Sequence, residues 1–360
     1  MFTNIKYAND ATNRFSFEIN EVDLSLISAI RRTILTDIPV VGFRCEDNVS
    51  VDILINTGAL HNEFIIHRLG LIPICFNEDE IETFVSDDYR FELHVVNDNQ
   101  QMINVTTHDF RIYKNNTPMP MKDIHRIFPV SPVSNRPILI TRLRVGEELH
   151  IDGKAVKSTA REHAGFSPVS LCAHSFIQDD TLASKESNIL NKEKAYKRNK
   201  YGDPTHVLFE IESECALTPK YLVLKAIEIL MNKLHKVIQE INNSDSQYIT
   251  LKKLDIGAEF TFQDEDDTLG NFLQSLMHNH YIRDKKPSAK DRNVSYIGYI
   301  CPHPLDNIMN LKIVFDPDQD QNQDKIEDHE YTELLIEHCN RSLVYLHNIQ
   351  VEWLKETSTL

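Results

Sequence analysis

Residues Val22–Pro39 read VDLSLISAIRRTILTDIP. Asp23 suits a helix N-cap, because its carboxylate accepts from backbone N–H groups that the first turn leaves without partners. Leu26, Ile30 and Ile34 recur on one face with Ala29 beside them, so the spacing predicts an amphipathic helix ending before Pro39. Upstream, Ile5–Ala8 and Arg14–Ile19 read as two strands, the second alternating Phe15, Phe17 and Ile19. Asn9-Asp10 and Thr12-Asn13 supply turn chemistry between them. The local unit is a hairpin followed by a helix.

The same order returns after Ile249. Ile249–Leu254 and Glu259–Gln263 read as strands with Gly257 at the turn, and Asp266 precedes DTLGNFLQSLMHN. Asp23-x-Ser25-Leu26-x-Ser28-x-Ile30 superimposes on Asp266-x-Thr268-Leu269-x-Asn271-x-Leu273 at an offset of 243. Phe15-Ser16-Phe17 superimposes on Phe260-Thr261-Phe262 at 245, so the strand-to-helix turn differs by two residues.

Each half also ends alike. His206–Ser213 is a predicted strand, and Thr218-Pro219 opens a long helix with Val223, Ile227, Leu230, Leu234, Val237 and Ile241 in one stripe. Asn310–Phe315 is its counterpart strand, and a helix from about Asp328 carries Leu335, Cys339, Ser342, Leu346, Ile349 and Trp353. Each half is thus an α+β unit of antiparallel sheet plus helices. A small four-stranded sheet cannot cover such long apolar stripes. The two pseudo-equivalent units are therefore expected to pair within one chain, burying Leu26, Ile30, Leu230, Leu234, Leu269, Leu273, Leu346 and Ile349 between them. The expected boundaries are 1–41 with 204–243 for the first unit and 244–360 for the second, joined by a short linker, Asn242–Ser246. An insert domain, 42–203, interrupts the first unit with mostly β-like sequence such as Val51–Ile55, Phe91–Val96, Ile138–Leu143 and Leu149–Val156. Its last stretch, Asp179–Asp203, is poor in apolar residues and reads as a mobile loop. Asp316–Asp328 reads as a second, acidic loop.

Charge restricts function. The 360 residues hold 38 Lys and Arg against 54 Asp and Glu, for a net charge of −16. Phosphate backbones and anionic membranes repel such a chain unless cations are locally concentrated. No apolar run approaches the roughly 20 residues of a spanning helix, and MFTNIKYAND lacks the apolar core of a secretory signal. The six cysteines, at 45, 75, 172, 215, 301 and 339, are too far apart for a CxxC knuckle and read as reduced thiols in a cytosol-like compartment.

Catalytic motifs are missing: the chain has no GxGxxG, Walker loop, HExxH or GxSxG. His61, Glu63, His67 and Arg68 fall on one short helix without a third ligand at metal spacing, which suits a surface or partner contact. Cys301-Pro302-His303-Pro304 puts a thiol near an imidazole, but prolines on both sides fix a rigid turn. Arg161-Glu162-His163-Ala164 reads as a turn or short helix. An enzyme built on His163 or Cys301 is the rival reading, and it predicts turnover by the isolated chain. Two basic clusters, Lys192–Lys200 and Arg283–Arg292, read as solvated loops or nucleic-acid contacts. Arg31 and Arg32 cannot both point into the core. They read as an exposed helix face or as forks for fixed carboxylates.

These motifs carry a family resemblance. VDLSLISAIRRTILTDIP resembles the alpha motif of DNA-directed RNA polymerase assembly subunits. The first ~240 residues resemble the third-largest subunit of eukaryotic RNA polymerase II and its archaeal equivalent, through NEFIIHRLGLIPI (Asn62–Ile74) and LRVGEELHIDGKAVKSTAREHAGFSPV (Leu143–Val169). The last ~115 resemble the eleventh subunit, through DEDDTLGNFLQSLM (Asp264–Met277) and VSYIGYICPHPL (Val294–Leu305). The fusion resembles the arrangement in African swine fever virus and related large cytoplasmic DNA viruses.

The resemblance implies a non-catalytic platform without cofactors. Its partners would be the largest and second-largest polymerase subunits and small zinc-bearing subunits like the tenth and twelfth. Arg31, Arg32, Glu63, His67, Arg68, Glu162 and His163 would face the large subunits. Nucleic acid would be met only through the assembled enzyme, in the host cytoplasm at viral factories and in the virion. Relatives carry a cysteine-rich metal loop after RLGLIP, but here Cys75 stands alone in ICFNEDEIETFVSDD, so no zinc is expected there.

Overall fold

The chain opens with β1 (Phe2–Tyr7), β2 (Arg14–Asn20) and α1 (Leu24–Thr36), the last capped by Asp23. The computed structural model describes residues 1–7, 14–45, 50–131, 134–214, 216–243, 245–286, 293–303, 305–316 and 327–358. The expected turn between the first two strands, Pro304, Lys290, Arg292 and most of the acidic loop lie outside these residues.

An excursion follows: β3 (Val40–Gly42), β4 (Val51–Asn56), α2 (Asn62–Gly70), α3 (Glu78–Glu82), β5 (Tyr89–Val96), β6 (Ile103–Thr106), β7 (Phe110–Lys114), β8 (Thr117–Pro118), α4 (Met121–Ile127), β9 (Leu139–Leu143), β10 (Glu148–Gly153) and β11 (Val156–Ser158). Its main sheet runs β4-β10-β5-β7-β8. The β-like stretch Leu149–Val156 is divided between two strands. β10 stays in that sheet, whereas β11 turns away to pair with β3.

The chain returns through β12 (Val169–Phe176), α5 (Asp180–Ala183), α6 (Ile189–Glu193), β13 (His206–Ser213) and α7 (Pro219–Glu240). β12 pairs with β13. The insert therefore ends before residue 169 rather than at 203. Residues 179–203 form a folded excursion between these strands, with two short helices and a bridge from Gln178 to Tyr196, where an open loop was expected. The second unit holds β14 (Ile249–Lys253), β15 (Ala258–Gln263), α8 (Asp267–Met277), β16 (Val294–Ile300), β17 (Ile308–Phe315) and α9 (Asp328–Glu356).

The repeat is topological. The first sheet runs β1-β2-β13-β12 and the second β14-β15-β17-β16, antiparallel throughout. In each, the hairpin's second strand is flanked by the unit's last strand, and the penultimate strand takes the far edge. Alternation puts Phe15, Phe17 and Ile19 of β2, and Phe260 and Phe262 of β15, on the buried faces. α1 covers β12, and α8 covers β16 and β17.

One buried group in α9 opposes acid stability. His338 is 3% exposed, and neither ring nitrogen has a hydrogen-bond partner among the described residues. Burial, helped by the nearby His280 and Arg341, pushes its pKa down to about 3 from the ordinary 6.5. The folded state refuses a proton that the unfolded chain takes. Stability is thus full above about pH 6.5 and is lost as pH falls toward 3. His338→Leu is expected to flatten this dependence and to raise the unfolding free energy at pH 5 by about 2 kcal/mol, measured by denaturant titration.

Candidate functional site

Four helices meet between the units. α1 packs on α8 and α7, and α9 packs on α7 and α8. The eight residues expected between the units sit on these helices, and all are buried: Leu26 and Ile30 on α1, Leu230 and Leu234 on α7, Leu269 and Leu273 on α8, Leu346 and Ile349 on α9. The long helix of the second unit also crosses onto the first sheet. Trp353 is fully buried there, with its ring 4.8 Å from Phe17 and 5.0 Å from Phe2. Its indole N–H donates to the Lys220 carbonyl of α7 at 3.1 Å, and Lys220 Nζ donates to the Thr357 carbonyl at 2.7 Å.

Polar contacts at the junction are exchanged reciprocally. Asp23 caps α1 and accepts from Ser275 Oγ at 3.1 Å and Asn279 Nδ2 at 2.6 Å, both from the second unit. Asp266 caps α8 and pairs with Arg32 of the first unit at 3.5 Å. Arg32 Nε also donates to Thr268 Oγ1 at 2.9 Å. Asp23 and Asp266 are 243 residues apart, and so are Arg32 and Ser275. Position 32 of one unit thus reaches the other unit's cap, and its counterpart at 275 does the same in reverse, as in a two-fold interface. Arg32 is therefore engaged inside the chain, where a large-subunit contact was expected.

A second charged group braces this junction. Arg161 pairs with Asp37 at 2.8 Å and Asp266 at 3.1 Å, and Lys233 pairs with Glu265 at 2.8 Å and Asp37 at 3.5 Å. Burial alone would depress Lys233, but the Glu265 and Asp37 carboxylates outweigh it and raise its pKa. Burial likewise pushes the Asp266 carboxyl up, yet the Thr268 hydrogen bonds and the Arg161 and Arg32 charges hold it at about 2 against the ordinary 3.8. A depressed carboxyl stabilises the fold fully above about pH 4, and the contribution disappears as pH falls through about 2. Asp266→Asn is expected to cost about 2 kcal/mol at pH 6 and almost nothing at pH 2, read from paired denaturant titrations.

The remaining expected contact residues divide between two places. On α2, Glu63, His67 and Arg68 are exposed together with Phe64 (63%) and Leu71 (58%). Ile65, Ile66 and Leu69 face the core. Arg68 donates to the Leu139 carbonyl at 2.7 Å. Glu162 is held by Arg44 and Ser158, and His163 Nδ1 accepts from the Gly165 amide at 3.1 Å. A Cβ on Gly165 would lie 2.6 Å from the Gly70 carbonyl. Only glycine allows this approach, which joins the two quoted insert motifs although they are far apart in sequence. Arg31 stands apart from α2's face, beside β12, where its carbonyl lies 3.8 Å from Cys172 Sγ. Its guanidinium has no ion pair among the described residues.

Little here favours thiol chemistry. Burial and the neighbouring Asp267 push the Cys301 thiol up to about 11, away from a thiolate at neutral pH. Among the described residues, no three His, Cys, Asp or Glu are grouped to hold a metal, and no helix is long and apolar enough to cross a membrane.

Paired units, buried helices and reciprocal caps are the geometry of a dimerisation module. Family models for the RNA polymerase Rpb3/Rpb11 dimerisation domain match residues 16–234 and 257–340. The chain belongs to this Rpb3/Rpb11 dimerisation family. It is 26% identical over 298 residues to DNA-directed RNA polymerases II, IV and V subunit 3 of Arabidopsis thaliana, covering 66% of this chain and 90% of that protein. It is 25% identical over 289 residues to DNA-directed RNA polymerases I and III subunit RPAC1 of Homo sapiens, covering 64% and 82%. It is 22% identical over 286 residues to DNA-directed RNA polymerase II subunit RPB3 of Schizosaccharomyces pombe, covering 71% and 92%. Two Rpb3/Rpb11 units thus lie in one chain, and they are the two pseudo-equivalent units described above.

Sequence reasoning missed the Arg161, Asp37, Lys233 and Glu265 group. It also missed the reciprocal caps, for which one signal was available. Applying the helix offset to Arg32 points to Ser275 and to a reciprocal pair of caps.

Proposed function

We propose that this chain is a non-catalytic assembly platform of a DNA-directed RNA polymerase, an intramolecular alpha-like dimer that scaffolds the two large catalytic subunits. The reciprocal contact of Arg32 with Asp266 and of Ser275 with Asp23 supports this reading most strongly, because it builds the dimer from one chain. The short linker supplies a high local concentration, so pairing needs no second copy. Two places are offered to the large subunits: the exposed α2 face with Phe64, His67 and Arg68, and separately Arg31 beside β12. Small zinc-bearing subunits join the same assembly. The enzyme transcribes viral genes, and the chain resides in host-cytoplasm viral factories and in the virion.

Affinity purification of the tagged chain from infected cells, read by mass spectrometry, tests the reading. The expected result is co-purification with both large polymerase subunits. Recovery of the chain alone, or turnover by the isolated chain that is lost on mutating Cys301 or His163, would contradict it.

A further inference from the structure

α8 continues into one π-helical turn, His278–Arg283, in which the Asp284 amide donates to the Asn279 carbonyl five residues back at 2.9 Å. Such turns are rare and concentrate at functional places. This one ties the second unit to the first. Asn279 Nδ2 donates to Asp23, the cap of α1, at 2.6 Å. Arg283 pairs with Asp203 at 2.6 Å, and Asp284 is held by Lys200 at 3.0 Å and by the Tyr201 hydroxyl. The turn is thus joined both to α1 and to the folded excursion between β12 and β13. The ion pairs among these ties are solvent-accessible, so each contributes little.

The inner side of the turn rests on polar groups without partners. Tyr281 of the turn and His338 and Ser342 of α9 are all buried. The Tyr281 hydroxyl, both His338 ring nitrogens and the Ser342 hydroxyl have no hydrogen-bond partner among the described residues. The Tyr281 and His338 rings lie 5.9 Å apart, and Ser342 follows His338 by one turn of α9. Burying such atoms unpaired costs free energy that water would return. Opening the turn gives water to Tyr281 and to the His338 ring beside it. The charged and titratable groups around this place are His280, Asp284 and Lys286 from the turn and its end, and Glu337, Cys339 and Arg341 from α9. β16, which also packs on the turn, brings only Tyr296 and Tyr299. His280 and Arg341 both disfavour a proton on His338 while the turn is closed.

We propose that the π-helical turn is an acid-opened clasp between the units: protonation of His338 frees the turn from α9 and releases its ties to Asp23, Asp203 and Lys200, while the four-helix junction stays packed. The junction is held by apolar side chains that do not titrate. The clasp is held by accessible ion pairs over orphaned polar atoms, which makes it the local element of low stability. The closed turn refuses a proton that the open turn takes near the ordinary 6.5. The open population should therefore rise about tenfold between pH 7.5 and 5.5. His280, held below its ordinary value by burial and Arg341, acts in the same direction. The inference is independent of the polymerase reading.

The test is hydrogen exchange of the full chain at pH 7.5 and 5.5, each rate divided by the intrinsic rate of its amide. Amides 279–286 and 197–205 should open at least tenfold more at pH 5.5, with those of β15 and β17 unchanged. His338→Leu should cut the rise to threefold or less, and His338→Gln, equally unable to take the proton, should do the same. Tyr281→Phe removes one orphaned hydroxyl with little change of shape, so it should slow exchange of the turn at both pH values and keep their ratio. Equal opening at the two pH values, an undiminished rise in both His338 variants, or an equal rise in β15 and β17 would overturn the proposal. The last of these would identify unfolding of the whole unit in place of a clasp.

Discussion

Trp353→Ala is expected to destabilise the whole chain by about 3–5 kcal/mol, the usual cost of truncating a buried Trp. The residue belongs to the second unit but fills the first unit's sheet against Phe2 and Phe17, and its N–H satisfies the Lys220 carbonyl. The loss should therefore appear in both units at once, as one cooperative transition at lower denaturant. Trp353→Phe keeps most of the ring and forfeits the hydrogen bond, so its cost should be nearer 1 kcal/mol. Two separate transitions in Trp353→Ala, with the first unit unchanged, would mean that the units fold independently. Hydrogen exchange of β2 and α7 amides locates the effect.

The second large effect concerns partner capture. Arg31→Glu combined with Phe64→Glu should leave the melting curve of the isolated chain nearly unchanged, because Phe64 is exposed and Arg31 has no ion pair among the described residues. Capture of the second-largest polymerase subunit should fall at least tenfold. Desolvated aromatic and Arg anchors dominate such interfaces, and a reversed charge in one is costly. Arg32→Ala should do the opposite. It removes a contact to Asp266 inside the chain, costs about 1 kcal/mol of stability, and alters capture little. Normal assembly of the first variant would place the partner surface elsewhere. Pull-down from co-expressed subunits, with melting curves in parallel, separates the two classes.

This division of Arg31 from Arg32 shows what the sequence could carry. Adjacent positions on a helix point about 100° apart, so the pair could not share one environment, but the sequence did not say which member turned inward. The offset of 243 held the answer, since Ser275 at the matching position also reaches the opposite cap. Both hairpins, the caps Asp23, Asp266 and Thr218, and the buried stripes were legible because period and capping chemistry are local. β12 was not. Ser170, His174 and Ser175 interrupt its alternation, and a bulge lies between Val169 and Leu171, so only pairing with β13 makes it a strand. The excursion 179–203 read as a mobile loop because its order comes from contacts that no apolar period announces, such as the bridge from Gln178 to Tyr196 and the ion pairs of Asp203 with Arg283 and of Lys200 with Asp284. The network of Arg161, Asp37, Lys233 and Glu265 joins four separate segments, and no local pattern announces it. On α2, the face with Glu63, His67 and Arg68 was expected outward from spacing, while the Gly70–Gly165 approach that fixes its setting needed the structure.

The central claim is that one chain supplies both halves of the dimerisation module. Native mass spectrometry of the polymerase purified through a tag on this chain tests it most directly. The account predicts one copy of the chain per enzyme, bound with the two large subunits and with no additional Rpb3/Rpb11-type subunit. Two copies per enzyme, or one copy accompanied by a separate subunit of that type, would contradict it.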